Sequence, residues 1–275
     1  MTDTLTPRGR GATGAPGARS VWRSVALPNE HGGWGLTAEP ALLGLLVAPS
    51  PAGACLAVAA VVAFLARTPL KLVLIDAHRH RRQARTRAAV RVLAAEVSLL
   101  TSLAAAAIAL GVDGWWWPAL LAAPLVLVEL WFDMRSRSRR LAPELAGSVG
   151  IGAVVAMIVL ADGGPTGLAV GLWLVVAGRA LTAIPMVRSL VARIHGRSTP
   201  PRTTLLGDAA ALVAAALAVL LDAALLPGAI AVVAVVAVQR VMARRPLPPA
   251  KVLGIRQMAL GLTVVAVTAL GVHLL

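Results

Sequence analysis

Residues 28–39, PNEHGGWGLTAE, carry two acids, a histidine, an asparagine and a tryptophan just before the chain turns apolar. Glu30 and His31 are adjacent, and Glu39 follows about two helical turns later. A carboxylate beside an imidazole can pass a proton, and two carboxylates with one imidazole can contribute to a metal shell. Gly32 and Gly33 allow a tight turn or a close approach at this point. His80 or His195 would have to fold back to complete a metal set. An interfacial cap, with a glutamate tied to a neighbouring arginine, explains the same residues equally well. Trp34 suits interfacial anchoring, or one wall of a binding site.

A second group lies deeper in the apolar sequence. Arg67 and Lys71 are four residues apart and share a helix face, and Asp76 follows them. Arg179 sits within a later apolar run, with Arg188 beyond it. An ionisable group at membrane depth costs about 2.5–3.5 kcal/mol unless it is paired or faces a wet cavity. The available counter-charges are Glu39, Glu96, Glu129, Glu144 and Asp208. Two outcomes follow: the groups neutralise one another as structural pairs, or a surplus of cations remains to hold a phosphate or carboxylate, which clustered arginines suit. Pro69 and Pro185 stand beside these cations, where each removes a helical hydrogen bond and can kink its helix.

The elements that must position these residues are membrane helices. Of 275 residues, 58% are hydrophobic and 14% charged, with mean hydropathy +0.81. A soluble domain carries about 25% charged residues. The apolar runs are continuous rather than alternating, which excludes barrel strands. A span needs roughly 20 residues to cross a core of about 30 Å. Nine predicted spans cover 34–50, 52–77, 88–111, 115–133, 141–161, 165–189, 204–221, 225–243 and 251–274, the first and seventh short. The fold class is therefore an all-α polytopic bundle. Residues 1–23 are predicted to be a disordered cytoplasmic tail and 24–275 a single transmembrane domain; no cleaved signal peptide is expected.

Charge orients the bundle. The even-numbered connections are rich in arginine, whereas the odd-numbered ones lack Lys and Arg and display Asp113, Asp162 and Asp222. The positive-inside rule then puts the N-terminus in the cytoplasm and the C-terminus outside. Trp115, Trp116 and Trp117 fall at the expected outer belt; Trp22, Trp34 and Trp131 fall near the inner one. The net charge of +14 is spread over these connections, which argues against nucleic acid as a partner. Two lysines against twenty-four arginines point to coding bias, so not every arginine is functional. A lone Cys55 in an apolar run supports neither a disulfide framework nor a cysteine metal site.

Pro28-Asn29-Glu30-His31-Gly32-Gly33-Trp34, followed by Pro40, Gly44-Leu45 and Phe64-Leu65-Ala66-Arg67-Thr68-Pro69-Leu70-Lys71, resembles the YwiC-like family of bacterial membrane proteins. Both marks of that family are present: an EHG-x-W segment before the first helix and an F-x-x-R-x-P-L-K segment late in the second. The resemblance is strongest over residues 28–82 and implies a multi-pass protein of the bacterial cytoplasmic membrane, with no activity attached. The order of spans is also similar to the UbiA-type intramembrane prenyltransferases. Those enzymes carry Asp-rich motifs, binding Mg²⁺ and a prenyl diphosphate, where this chain has its second and sixth spans. Here the second span ends with Asp76 alone, and the sixth has no acid. Mg²⁺ requires oxygen ligands, so the resemblance implies a shared bundle, with no cofactor and no Mg²⁺-dependent transfer.

The reading that follows is an integral membrane protein that binds an anionic amphiphile, a phosphorylated or carboxylated lipid or isoprenoid, in a cytoplasm-facing cavity. Its candidate ligand-binding residues are Glu30, His31, Trp34, Glu39, Arg67, Lys71, Asp76, Arg179 and Arg188. A small-solute transporter and a scaffold subunit of a membrane complex are the alternatives; the former lacks the internal repeats that transporters commonly show. The sequence assigns no reaction and no oligomeric state.

Overall fold

The computed structural model of the chain describes residues 31–80, 84–137 and 139–275, with side chains described from residue 34 onward. Glu30, the side chain of His31 and the predicted tail of residues 1–23 lie outside the described residues. Nine α-helices follow one another: α1 (His31–Val47), α2 (Pro51–His78), α3 (Ala84–Leu110), α4 (Trp117–Met134), α5 (Leu141–Ala161), α6 (Thr166–Ile194), α7 (Pro201–Leu221), α8 (Leu226–Ala243) and α9 (Ala250–Leu274). Each coincides with a predicted span. Eight are long and apolar enough to cross a membrane, and α1 is a shorter apolar helix. The sixth helix continues past residue 189 to Ile194, so Arg193 lies on the helix rather than in the loop after it.

Short connections make sequence neighbours antiparallel, so the basic connections gather at one end. Arg79 Nη2 donates to Ser136 Oγ at 3.2 Å, Arg188 Nη1 to the Arg139 carbonyl at 2.9 Å, and Arg193 Nη1 to the Ala243 carbonyl at 2.8 Å. These bonds tie the ends of α2 and α4, of α6 and α5, and of α6 and α8. At the opposite, acidic end the His273 ring pairs with the Leu46 carbonyl at 2.8 Å, joining α9 to α1.

The core is built on α5 and α6, which are buried along most of their length, and α1 packs across α5 with Leu43 fully enclosed. Lipid chains are as apolar as leucine, so helices associate through close packing rather than water exclusion. Accordingly the interior is rich in Ala and Val, with few large side chains. The exterior is apolar: Leu206 and Leu220 expose 68% and 81% of their surface. Apolar faces of that extent suit a bilayer. Helix α3 lies at the periphery and packs almost wholly against α2.

The tryptophans divide. Trp116 and Trp131 are about half exposed, as anchors would be, and Arg135 stacks on Trp131 at 3.6 Å. Trp115 departs from the predicted belt: it is 7% exposed and belongs to the core. Its indole packs against the turn that Gly111 makes after α3. Pro69 and Pro185 both lie inside continuous helices.

Candidate functional site

The cations predicted to sit inside the bundle do so, and they meet acids. On α2, Arg67 Nε donates to Asp133 Oδ2 at 3.0 Å, and Nη2 lies 3.0 Å from Glu129 Oε1. One turn on, Lys71 Nζ lies 3.5 Å from Asp133 Oδ1. Glu129 and Asp133 are themselves four residues apart on α4, so two cations on one helix face oppose two carboxylates on another. The expected surplus of positive charge at Arg67 and Lys71 is therefore cancelled. Asp133, fully buried, was not among the predicted counter-charges, because it fell at the very end of a span. Its spacing from Glu129, which mirrors Arg67 and Lys71, was the signal. A glycine makes room for the cluster: a Cβ at Gly147 of α5 would overlap the Glu129 carboxylate.

Arg179 on α6 is arranged differently. It is 2% exposed, and its Nη2 donates to the Gln257 carbonyl of α9 at 2.6 Å and stands 3.8 Å from Glu39 Oε1 of α1. Nε and Nη1 are buried and have no hydrogen-bond partner among the described residues. Glu39 fits against α9 because residue 261 is glycine; a Cβ there would overlap its carboxylate. Two turns and a half further along α6, Arg188 Nη1 pairs with Glu144 Oε2 of α5 at 2.8 Å.

The remaining intramembrane acids are placed elsewhere. Asp208 on α7 accepts from Arg240 Nε of α8 at 2.5 Å and from the Thr182 hydroxyl of α6 at 2.5 Å. That network ties three helices at the same depth as the others. Counted at about 1.5 Å per residue, Arg67, Glu129, Arg179, Asp208 and Arg240 all lie about 18–24 Å from the acidic end. Glu96 on α3 has no partner for its buried Oε2 among the described residues. Asp76 is buried between α2 and α3, where the Thr86 hydroxyl donates to it at 2.5 Å and Arg85 Nη2 lies 3.6 Å away.

One cavity, of about 1900 Å³, collects most of the candidates. Trp34, Glu39, Arg67, Arg179 and Arg188 line it; Lys71 and Asp76 stand outside the lining. Trp34 meets Phe64 edge-on, with ring centroids 5.1 Å apart, and both rings form one wall. The cavity is layered. Toward the acidic end its walls are Ala119, Ala122, Val154 and Met157. The belt of Arg67, Glu129, Glu39 and Arg179 crosses its middle. Arg139, Glu144, Arg188, Arg197 and Lys251 surround it at the basic end. Six cations thus face three acids across the lining. Nothing in the sequence separates Arg139, Arg197 and Lys251 from the other charges of the basic connections, which orient the bundle. Such an arrangement can hold an apolar chain and an anionic group at once.

Nine apolar helices around a charged, layered interior define a polytopic integral membrane protein of the helical-bundle class. The model of the YwiC-like protein family matches residues 27–159. Over that region, which spans α1 to α5, the chain is similar to the YwiC-like family. Arg179, Arg188 and Lys251 lie beyond the matched residues. No curated protein and no solved structure matches the chain.

Proposed function

We propose that this YwiC-like protein binds an anionic amphiphile, a phosphorylated or carboxylated lipid or isoprenoid, in the cavity that α1 to α6 and α9 line. The basic end faces the bacterial cytoplasm, in keeping with its arginines. The observation that carries this reading is Arg179. A guanidinium buried in a bilayer-embedded bundle normally has all its donors engaged, because an unmet buried donor costs about 1–3 kcal/mol and more when charged. Two of the nitrogens of Arg179 have no partner among the described residues, and its side chain lines the cavity of about 1900 Å³. An acceptor arriving with a ligand completes its shell. A UbiA-type arrangement of helices would suit such a ligand; that element of the proposal rests on the order of spans.

Native mass spectrometry of the purified chain with dodecyl phosphate and dodecanoate tests the proposal. Arg179→Gln should weaken binding by about tenfold or more, the loss of a charge-assisted hydrogen bond worth ~1.5–3 kcal/mol. Because Arg179→Gln strands Glu39, the double variant Glu39→Gln/Arg179→Gln is measured beside it. Unchanged binding in the double variant, with the fold intact, would remove Arg179 as the recognition group and end the proposal.

A further inference from the structure

We infer that the basic mouth of the cavity is a subsite for a phosphate group, so that the ligand is phosphorylated rather than carboxylated. The inference rests on the proposed binding of an amphiphile and narrows its chemistry. At the mouth, Arg139, Arg188, Arg197 and Lys251 meet a single acid, Glu144, and that acid is already bonded to Arg188. Arg139, Arg197 and Lys251 have no ion-pair partner among the described residues. A carboxylate carries one charge and two acceptor oxygens. It would leave most of this surplus uncompensated. A phosphate brings up to two charges and three acceptor oxygens.

The backbone adds to the same field. Helix α9 begins at the mouth, with Ala250 and Lys251 both in the lining. Its first turn has neither a side-chain cap nor an acid. The first N–H groups of a helix have no partner within it, and its positive dipole end favours anions. Below the mouth, in the same cavity, stands Arg179, 2% exposed and with two unmet nitrogens. Donors therefore continue inward from the mouth, and the apolar walls lie beyond them. A phosphate held between these mouth cations and Arg179, with its chain directed toward the apolar walls beyond, uses each layer.

The test compares two amphiphiles of equal chain length, dodecyl phosphate and dodecanoate, with inorganic phosphate as competitor. Binding to the full-length chain is followed by native mass spectrometry and by Trp fluorescence, since Trp34 lines the cavity. The expected preference is about tenfold for the alkyl phosphate. In Arg197→Gln/Lys251→Gln that preference should vanish while dodecanoate binding falls by less than about threefold. Arg244→Gln/Arg245→Gln removes the same charge at the same end but outside the cavity, and should leave both affinities in place. Displacement by inorganic phosphate would show that the subsite takes the free ion. Failure to displace would show that the phosphate must come attached to a lipid. Equal affinity for the two amphiphiles, or an equal fall for both in the Arg197/Lys251 variant, overturns the phosphate subsite and leaves amphiphile binding standing. Binding of neither amphiphile overturns the proposed function itself.

Discussion

Arg67 and Arg179 are two guanidiniums at nearly the same depth in one bundle, and they end in opposite states. Arg67 is held by two carboxylates at 3.0 Å each and shares Asp133 with Lys71. Arg179 has one carboxylate at 3.8 Å, one carbonyl and two nitrogens without a partner among the described residues. Arg67 retains 24% of its side-chain surface and Arg179 3%. The more buried arginine is thus the less satisfied one. Burial without satisfaction is what a structural ion pair avoids and what a ligand site requires. The comparison assigns the Arg67 cluster to holding α2 on α4, and it supports the recognition role proposed for Arg179.

The largest effect should come from breaking the satisfied cluster. Asp133→Ala removes the buried carboxylate that Arg67 and Lys71 share, and breaking a buried pair by removing one partner typically costs about 3–5 kcal/mol. Thermal unfolding of the solubilised protein should show a pronounced fall in midpoint. A midpoint within a degree or two of wild type would mean that the cluster does not hold the two helices. A double-mutant cycle puts the comparison on one scale. Arg67→Ala with Glu129→Ala should give a coupling energy above about 1 kcal/mol, and Arg179→Ala with Glu39→Ala a smaller one, since the second pair is longer and its arginine is only partly engaged. Equal couplings would erase the distinction drawn above.

The glycines sharpen it further. Gly147→Ala and Gly261→Ala each place a methyl group on a glutamate carboxylate. Glu129 cannot yield without leaving Arg67, so Gly147→Ala should cost about 1–3 kcal/mol, the usual range for overpacking. Glu39 borders the open cavity and can swing into it, so Gly261→Ala should destabilise less while still disturbing ligand binding. Measuring unfolding and amphiphile affinity on both variants checks the order; Gly261→Ala as the more destabilising of the two would contradict it.

Much of the architecture was legible because bilayer physics leaves few options. Continuous apolar runs must be helices, and the alternation of arginine with aspartate in the connections ordered their ends. Arg67, Lys71 and Arg179 stood out because charge is costly at their depth. What could not be read was which charges were cancelled. That depends on helix neighbours far apart in sequence, such as α1 beside α9 or α2 beside α4, and periodicity within one helix does not encode it. Glu129 and Asp133 were a partial exception, since their spacing repeats that of Arg67 and Lys71. Arg197 and Lys251 were hidden for another reason. Loop arginines orient membrane proteins in general, so their number conceals the few that line a cavity.

The smallest effect is expected at Glu96, an intramembrane acid with no basic partner among the described residues. It sits on α3, the least enclosed of the spans, with Oε2 buried and unbonded among the described residues. Glu96→Gln should not destabilise, because it breaks no ion pair among the described residues and the amide carries no charge to desolvate. Glu96→Gln should therefore leave stability unchanged or raise it by no more than about 1 kcal/mol, read from the unfolding midpoint, and leave amphiphile affinity alone. A clear loss of stability would point to a partner for Glu96 outside the chain, such as a neighbouring helix in the membrane. Glu96 would then belong with Arg179 among the groups whose counterpart arrives from elsewhere.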